Sequence, residues 1–169
     1  MRTTEHYIYL CEGQIEKKIL EIFIKEFHIL IPGKLEVFNV IQDRLKTSYL
    51  AAHSKYTHFV LVFDTDTNNS TILQENLRFL QNHFSQDKII VVPQVRNIED
   101  ELVYCCDVKH VWDLAKYHTL KDFKDNVITD NTLGKKLIKH KFNSKLLWSR
   151  TPKDKFSFCR NDSYKIKIK

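Results

Sequence analysis

The chain reads as an α/β domain built on a mainly parallel four-stranded sheet flanked by helices. Three observations predict it. Apolar, β-branched runs alternate with stretches of helical period, the βαβα pattern of a parallel sheet with right-handed crossovers. One of these runs, residues 58–63 (HFVLVF), is apolar almost without a break, as a strand buried on both faces must be. Acidic clusters also fall just after three of the four predicted strands, where open α/β sheets place their ligand crevices.

The elements follow in order. His6–Cys11 (HYIYLC) is a short aromatic and apolar run, read as a strand. Glu12-Gly13 then leads into residues 14–27, where Ile15, Ile19, Ile22, Phe23 and Phe27 recur at helical spacing. Pro32-Gly33 breaks the chain before a second strand at 35–40 (LEVFNV) and a weakly periodic helix at 41–53. The third strand, 58–63, ends in Asp64-Thr65-Asp66-Thr67-Asn68-Asn69-Ser70, a loop rich in capping residues. Ile72, Leu73, Leu77, Leu80 and Phe84 make a helix face over 71–84, and 88–93 (KIIVVP) is the fourth strand. Beyond Glu101 the pattern predicts helices at 102–116 and 131–140, then a lysine-rich segment ending in KIKIK, read as an edge strand or a frayed tail.

With 169 residues the chain has room for one compact domain, read as an α/β unit over 1–108 and a basic, largely helical extension over 109–169 packed on it. The charge divides in the same place. Residues 1–108 hold 11 Lys and Arg against 15 Asp and Glu, a net of −4, while 109–169 hold 16 against 6, a net of +10. A carboxylate-rich face beside a basic one points to a polyanion, nucleic acid, as ligand. No apolar stretch is long enough for a membrane span and residues 1–11 lack a signal-like pattern, so a soluble, cytoplasmic chain is expected, with no membrane partner. The four cysteines form no CxxC pair and are expected to be reduced and structural. With three glycines in all and no GxxxxGK[ST] or GxGxxG, ATP hydrolysis by this chain alone is not expected.

Asp64 and Asp66, two apart after a strand, point the same way in extended geometry and suit a shared hard cation such as Mg²⁺. The same residues also suit helix capping. Glu12 follows a buried strand beside Gly13, and Glu16 stands one helical turn further on. Glu99 and Glu101 form a third acidic group, which a helix dipole would equally favour.

The motifs Cys11-Glu12-Gly13-Gln14-Ile15-Glu16 and Phe63-Asp64-Thr65-Asp66, each after a hydrophobic strand, resemble the TOPRIM domain of topoisomerases, bacterial primases, small ribonucleases and OLD-family nucleases. With Glu16 and Asn97-Ile98-Glu99-Asp100-Glu101 the likeness is greatest to OLD-type and related phage-defence TOPRIM nucleases, and it spans residues 6–106. The chain departs from that pattern in reading Glu-Gly-Gln and in lacking a fused ATPase, a topoisomerase tyrosine domain and a primase zinc domain. The resemblance implies a TOPRIM-like Rossmannoid fold and Mg²⁺- or Mn²⁺-dependent cleavage of DNA or RNA, in a toxin or defence effector. It implies that Asp64 and Asp66 hold the ion, that Glu16, Glu99 and Glu101 complete one or two metal sites, and that Glu12 acts as acid/base or as a further ligand. Paired cations supply charge compensation at the phosphodiester oxygens, and the carboxylates need cations to offset their repulsion.

Lys135, Lys136, Lys139 and Lys141 are the candidate phosphate contacts. Trp148, Phe156 and Phe158 are read as core rather than as base-stacking residues. The competing readings are a non-catalytic TOPRIM-like subunit that binds nucleic acid or a separately encoded ATPase, and a phosphoacceptor receiver. The receiver is disfavoured because its acidic pair would follow the first strand.

Overall fold

A computed structural model describes residues 5–168. The start of the stretch read for a targeting signal and the last lysine of KIKIK lie outside the described residues. The sheet comprises β1 (His6–Cys11), β2 (Lys34–Val37), β3 (Thr57–Asp64) and β4 (Ile89–Gln94), all parallel, in the order β2-β1-β3-β4. Seven of the eight residues of β3 are buried, as its unbroken apolar run requires of a central strand.

The helices divide between the two faces by their apolar stripes. Ile19, Leu20, Ile22 and Phe23 of α1 (Gln14–Lys25) join Tyr9, Cys11, Val60, Val62, Ile90 and Val92 on one face. Leu50 of α2 (Thr47–Ala51) and Leu73 and Leu80 of α3 (Thr71–Gln81) join Ile8, Leu10, Phe59, Leu61, Ile89 and Val91 on the other. The alternation of side chains along each strand makes the two cores.

Strand order reverses between β1 and β3, since α1 carries the chain from β1 to one edge while α3 leads from β3 to the other. The carboxyl ends of these two strands therefore frame the crevice of the fold. Cys11 pairs with Val62, so the residues after β1 lie level with the last turn of β3.

Two helix expectations are corrected. Residues 41–46 are a loop, because Asn39 Oδ1 accepts the Ile41 and Gln42 amides while buried Asn76 donates to the Val40 and Asp43 carbonyls and accepts the Leu45 amide. One side chain from α3 thus supplies bonds a helix would have made internally. The predicted helix at 102–116 begins earlier, as α4 (Ile98–Cys105), capped by Asn97. It stops because Asn143 donates to the Cys105 carbonyl and Asp107 to that of His140; a separate 3₁₀ turn, Val111–Ala115, follows.

The extension is α-helical only in its first half, α5 (Leu120–Val127) and α6 (Leu133–Lys139), with short 3₁₀ turns beyond. It shares its core with the sheet: Phe123, Leu137, Leu147, Trp148 and Ile166 pack with α1 and β3, and Phe156 and Cys159 pass to the opposite face. On the way it covers the open edge of β4, where the Val91 carbonyl accepts from the Asp162 amide and the Val91 amide donates to the Asp162 carboxylate. Lys167 forms an antiparallel bridge to Leu30, which settles the tail as pinned. All four cysteines are free, and three of them are buried. Among the described residues no helix is long and apolar enough to cross a membrane.

Candidate functional site

Glu12 leaves the end of β1 and Asp64 closes β3, and both line a crevice of about 330 Å³ with Asp66, Gln42 and Asn69. A larger recess of about 590 Å³ opens at the opposite, amino-terminal end of the sheet, lined by Glu5, His6, Lys34 and His53. Only the carboxyl-end crevice gathers carboxylates, so chemistry decides between the two.

The capping alternative for the Asp-Thr-Asp loop is resolved by its hydrogen bonds. Asn69 Oδ1 accepts the Thr71 amide at the start of α3 and Thr67 Oγ1 accepts the Asn69 amide, which leaves Asp64 and Asp66 out of the cap. Thr65, which the sequence did not single out, anchors the two aspartates. Its hydroxyl donates to the Gln94 carbonyl at 2.7 Å and accepts the Arg96 amide at 3.1 Å, while its amide donates to the Arg96 carbonyl at 2.8 Å. Arg96 accepts a left-handed backbone, φ 67°, to make this stitch, a conformation costing a non-glycine residue about 1 kcal/mol.

Asp64 is the electrostatic centre. Its Oδ1 is buried and has no hydrogen-bond partner among the described residues. Burial, and then the carboxylates of Glu12, Glu16, Asp66 and Glu99, push its pKa up to about 9. Glu12 is also raised, by burial first and by Asp66 and Glu99, against contacts with the Asp64 backbone and Asn39 that lower it. Burial raises Glu16 too, reinforced by Glu99 and Glu12. Gly13 makes room for this arrangement: its backbone is extended, φ −152°, and a Cβ there would lie 3.0 Å from Glu16 Oε2. The glycine serves space rather than an unusual dihedral.

Five of the six predicted ligands thus act on one another, and the sixth does not. Glu101 is fully buried away from the crevice, where it accepts the Val95 amide at 2.9 Å and the Trp148 amide at 3.3 Å and pairs with Arg150 at 3.1 Å. Side chains two residues apart in a helix point to different faces, so Glu99 and Glu101 diverge. Glu99 carries the second unforeseen partner, Lys124 of α5, at 3.0 Å. Burial opposes the charge on Lys124, but Glu99, Glu16 and Asp64 together hold its pKa above the ordinary lysine value.

None of the predicted phosphate lysines lines the crevice. Lys136 is bonded to Asp130 and Lys141 to Asp107, while Lys135 and Lys139 are exposed on α6. Trp148 and Phe156 are core residues, and Phe158 is 46% exposed. Lys124 escaped the sequence reading because nothing in the local pattern of α5 reports a charge across the fold.

No family model, curated protein or solved structure matches the chain.

A resident divalent cation meets a mixed fit. Among the described residues no three Asp, Glu, His or Cys side chains converge as a ready metal-binding group. The donor set is nevertheless hard oxygen, which suits Mg²⁺ or Mn²⁺ held by one or two carboxylates with the remaining positions left to water or phosphate. The orphaned Asp64 Oδ1 offers the buried acceptor such an ion needs.

Proposed function

We propose that this chain is a metal-dependent nuclease of TOPRIM type that cleaves phosphodiester bonds in DNA or RNA, in a toxin or phage-defence setting. The observation that carries the reading is Asp64, a half-buried carboxyl with one buried, unpartnered oxygen at the reversal of strand order, ringed by Glu12, Glu16, Asp66 and Glu99. Without a cation such a cluster repels itself; with one it becomes a site. Asp64 and Asp66 would hold Mg²⁺ or Mn²⁺, with Glu16 and Glu99 completing the environment. The ion would compensate charge on the scissile phosphate and lower the pKa of bound water.

The chain's own groups do the rest. Glu12, half-buried with a raised pKa, is suited to take a proton from an attacking water and to return one to the leaving oxygen. Lys124 lies where a phosphate oxygen would replace Glu99 as its partner, giving a positive contact that a metal-bound Glu99 would release. The exposed cations of the extension would draw the polyanion to the crevice.

A second reading, a non-catalytic subunit that binds nucleic acid or a separately encoded ATPase, is favoured by Lys124 already pairing with Glu99. Cleavage of supercoiled DNA, linear DNA and total RNA, in EDTA, Mg²⁺ or Mn²⁺, separates the two. Metal-dependent cutting that Asp64→Ala/Asp66→Ala abolishes is the expected result. Wild type that leaves every substrate intact with every metal hands the chain to the binding reading.

A further inference from the structure

Beside the acidic cluster, and lined by its member Glu99, lies a recess of about 200 Å³ between the start of α4 and the loop before α5. Its floor is aromatic: the rings of His110 and Trp112 stack at 4.3 Å between centroids, 5° from parallel. His110 is exposed and Trp112 half-buried against the core, so the stack has a rooted inner ring and an open outer one. Exposed Leu120 adds an apolar wall, and the exposed side chains of Arg96 and Lys109 stand at the rim. The acids here are already answered, Glu99 by Lys124 and Asp100 by Arg96 at 3.0 Å.

A planar, open aromatic surface edged by cations has a definite chemical complement. An unpaired base extends the stack, and its flanking phosphates meet Arg96 and Lys109. A duplex buries its base faces and offers this surface nothing but its backbone. We infer that the recess bounded by His110, Trp112, Arg96 and Lys109 is a subsite for an unstacked nucleotide of single-stranded nucleic acid, next to the scissile phosphate. The inference deepens the nuclease reading and rests on it for the placement of that phosphate. Arg96 ties the two sites together, since its backbone is stitched to Thr65 between Asp64 and Asp66 while its side chain reaches the recess. A base seated on His110 therefore fixes the strand relative to the carboxylates.

The test is tryptophan fluorescence in EDTA, where no cleavage takes place, with a short oligothymidylate, an oligouridylate of the same length and a blunt DNA duplex as probes. Trp148 is 1% exposed and supplies a constant background, so a change reports Trp112. Both single strands should quench, and the duplex should not. His110→Ala should weaken single-strand binding about five- to 150-fold, the loss of one base–aromatic stack. Trp112→Phe should keep affinity within a few-fold and lose the signal, with binding then followed by anisotropy of a labelled oligothymidylate. Equal quenching by the duplex, or His110→Ala binding the single strands as wild type does, overturns the subsite. A separate titration with Mn²⁺ alone, read as thermal stabilisation, isolates the underlying reading: loss of the metal response with intact single-strand binding refutes the nuclease and spares the subsite, and the reverse pattern does the opposite.

Discussion

Replacing Asp64 with Asn should make the metal-free protein more stable and at the same time blind it to metal. The folded chain holds the Asp64 carboxyl protonated up to about pH 9, against 3.8 for an ordinary aspartate. Between those values the native state binds a proton the unfolded chain has lost, so stability falls as pH rises across the window. At pH 7 the unfolded chain has gone about three pH units past its own ionisation, which at 1.36 kcal/mol per unit sets a ceiling of about 4 kcal/mol. Water reaching the partly exposed carboxyl relaxes the field, and a gain of about 1–3 kcal/mol is expected for the neutral amide. For a chain of 169 residues that is about 2–12 °C in Tm. Differential scanning calorimetry in EDTA at pH 5, 7 and 8.5 should show wild type losing stability with rising pH and Asp64→Asn losing much less. Added Mn²⁺ should then raise the wild-type Tm and leave the variant unmoved. An Asp64→Asn variant that melts below wild type at pH 8.5 in EDTA, or that Mn²⁺ stabilises equally, refutes the account of Asp64 as a repelled carboxylate awaiting a cation.

Glu101→Gln should cost about 1–3 kcal/mol in urea denaturation, because it takes the countercharge from half-buried Arg150 and weakens the charge-assisted bonds to the Val95 and Trp148 amides, and it should leave Mn²⁺ binding unchanged. A loss of metal affinity without a loss of stability would return Glu101 to the site. The two tightly enclosed glycines should answer alanine differently. At Gly33 the new Cβ would lie 2.6 Å from the Tyr7 carbonyl and 2.8 Å from the Tyr9 ring, so Gly33→Ala should destabilise by about 1–3 kcal/mol. At Gly134 it would meet the carboxylate end of Glu26, which can swing aside, so Gly134→Ala should be neutral or gain up to about 1 kcal/mol of helix propensity by the same melts.

Local patterns in the chain carried a good deal of this. The unbroken HFVLVF run announced a central parallel strand, and β3 is one. The Glu12-Gly13 and Asp64-Thr65-Asp66 placements followed from strand ends alone, since a residue after a buried strand has its position set by the sheet. Where the local pattern was weak, tertiary bonds prevailed. The periodicity of 41–53 lost to Asn76, and the run at 102–116 was cut where Asn143 took the Cys105 carbonyl. Glu101 looked like Glu99 in the sequence because both are acids in the first turn of a helix, and only the direction of each side chain separates a crevice group from a buried brace.

The sequence by itself thus determined the α/β class, the order of strands and helices, and which carboxylates stand at the ends of strands, because period and strand length are properties of neighbouring residues. Tertiary structure decided the reversal of strand order that turns those ends into one crevice, and the folding of the extension across both faces of the sheet. It also brought Lys124 to Glu99 and Arg150 to Glu101, across 25 and 49 residues of chain respectively. Charge acts through space, and a one-dimensional pattern holds no record of which distant cation a buried acid will meet.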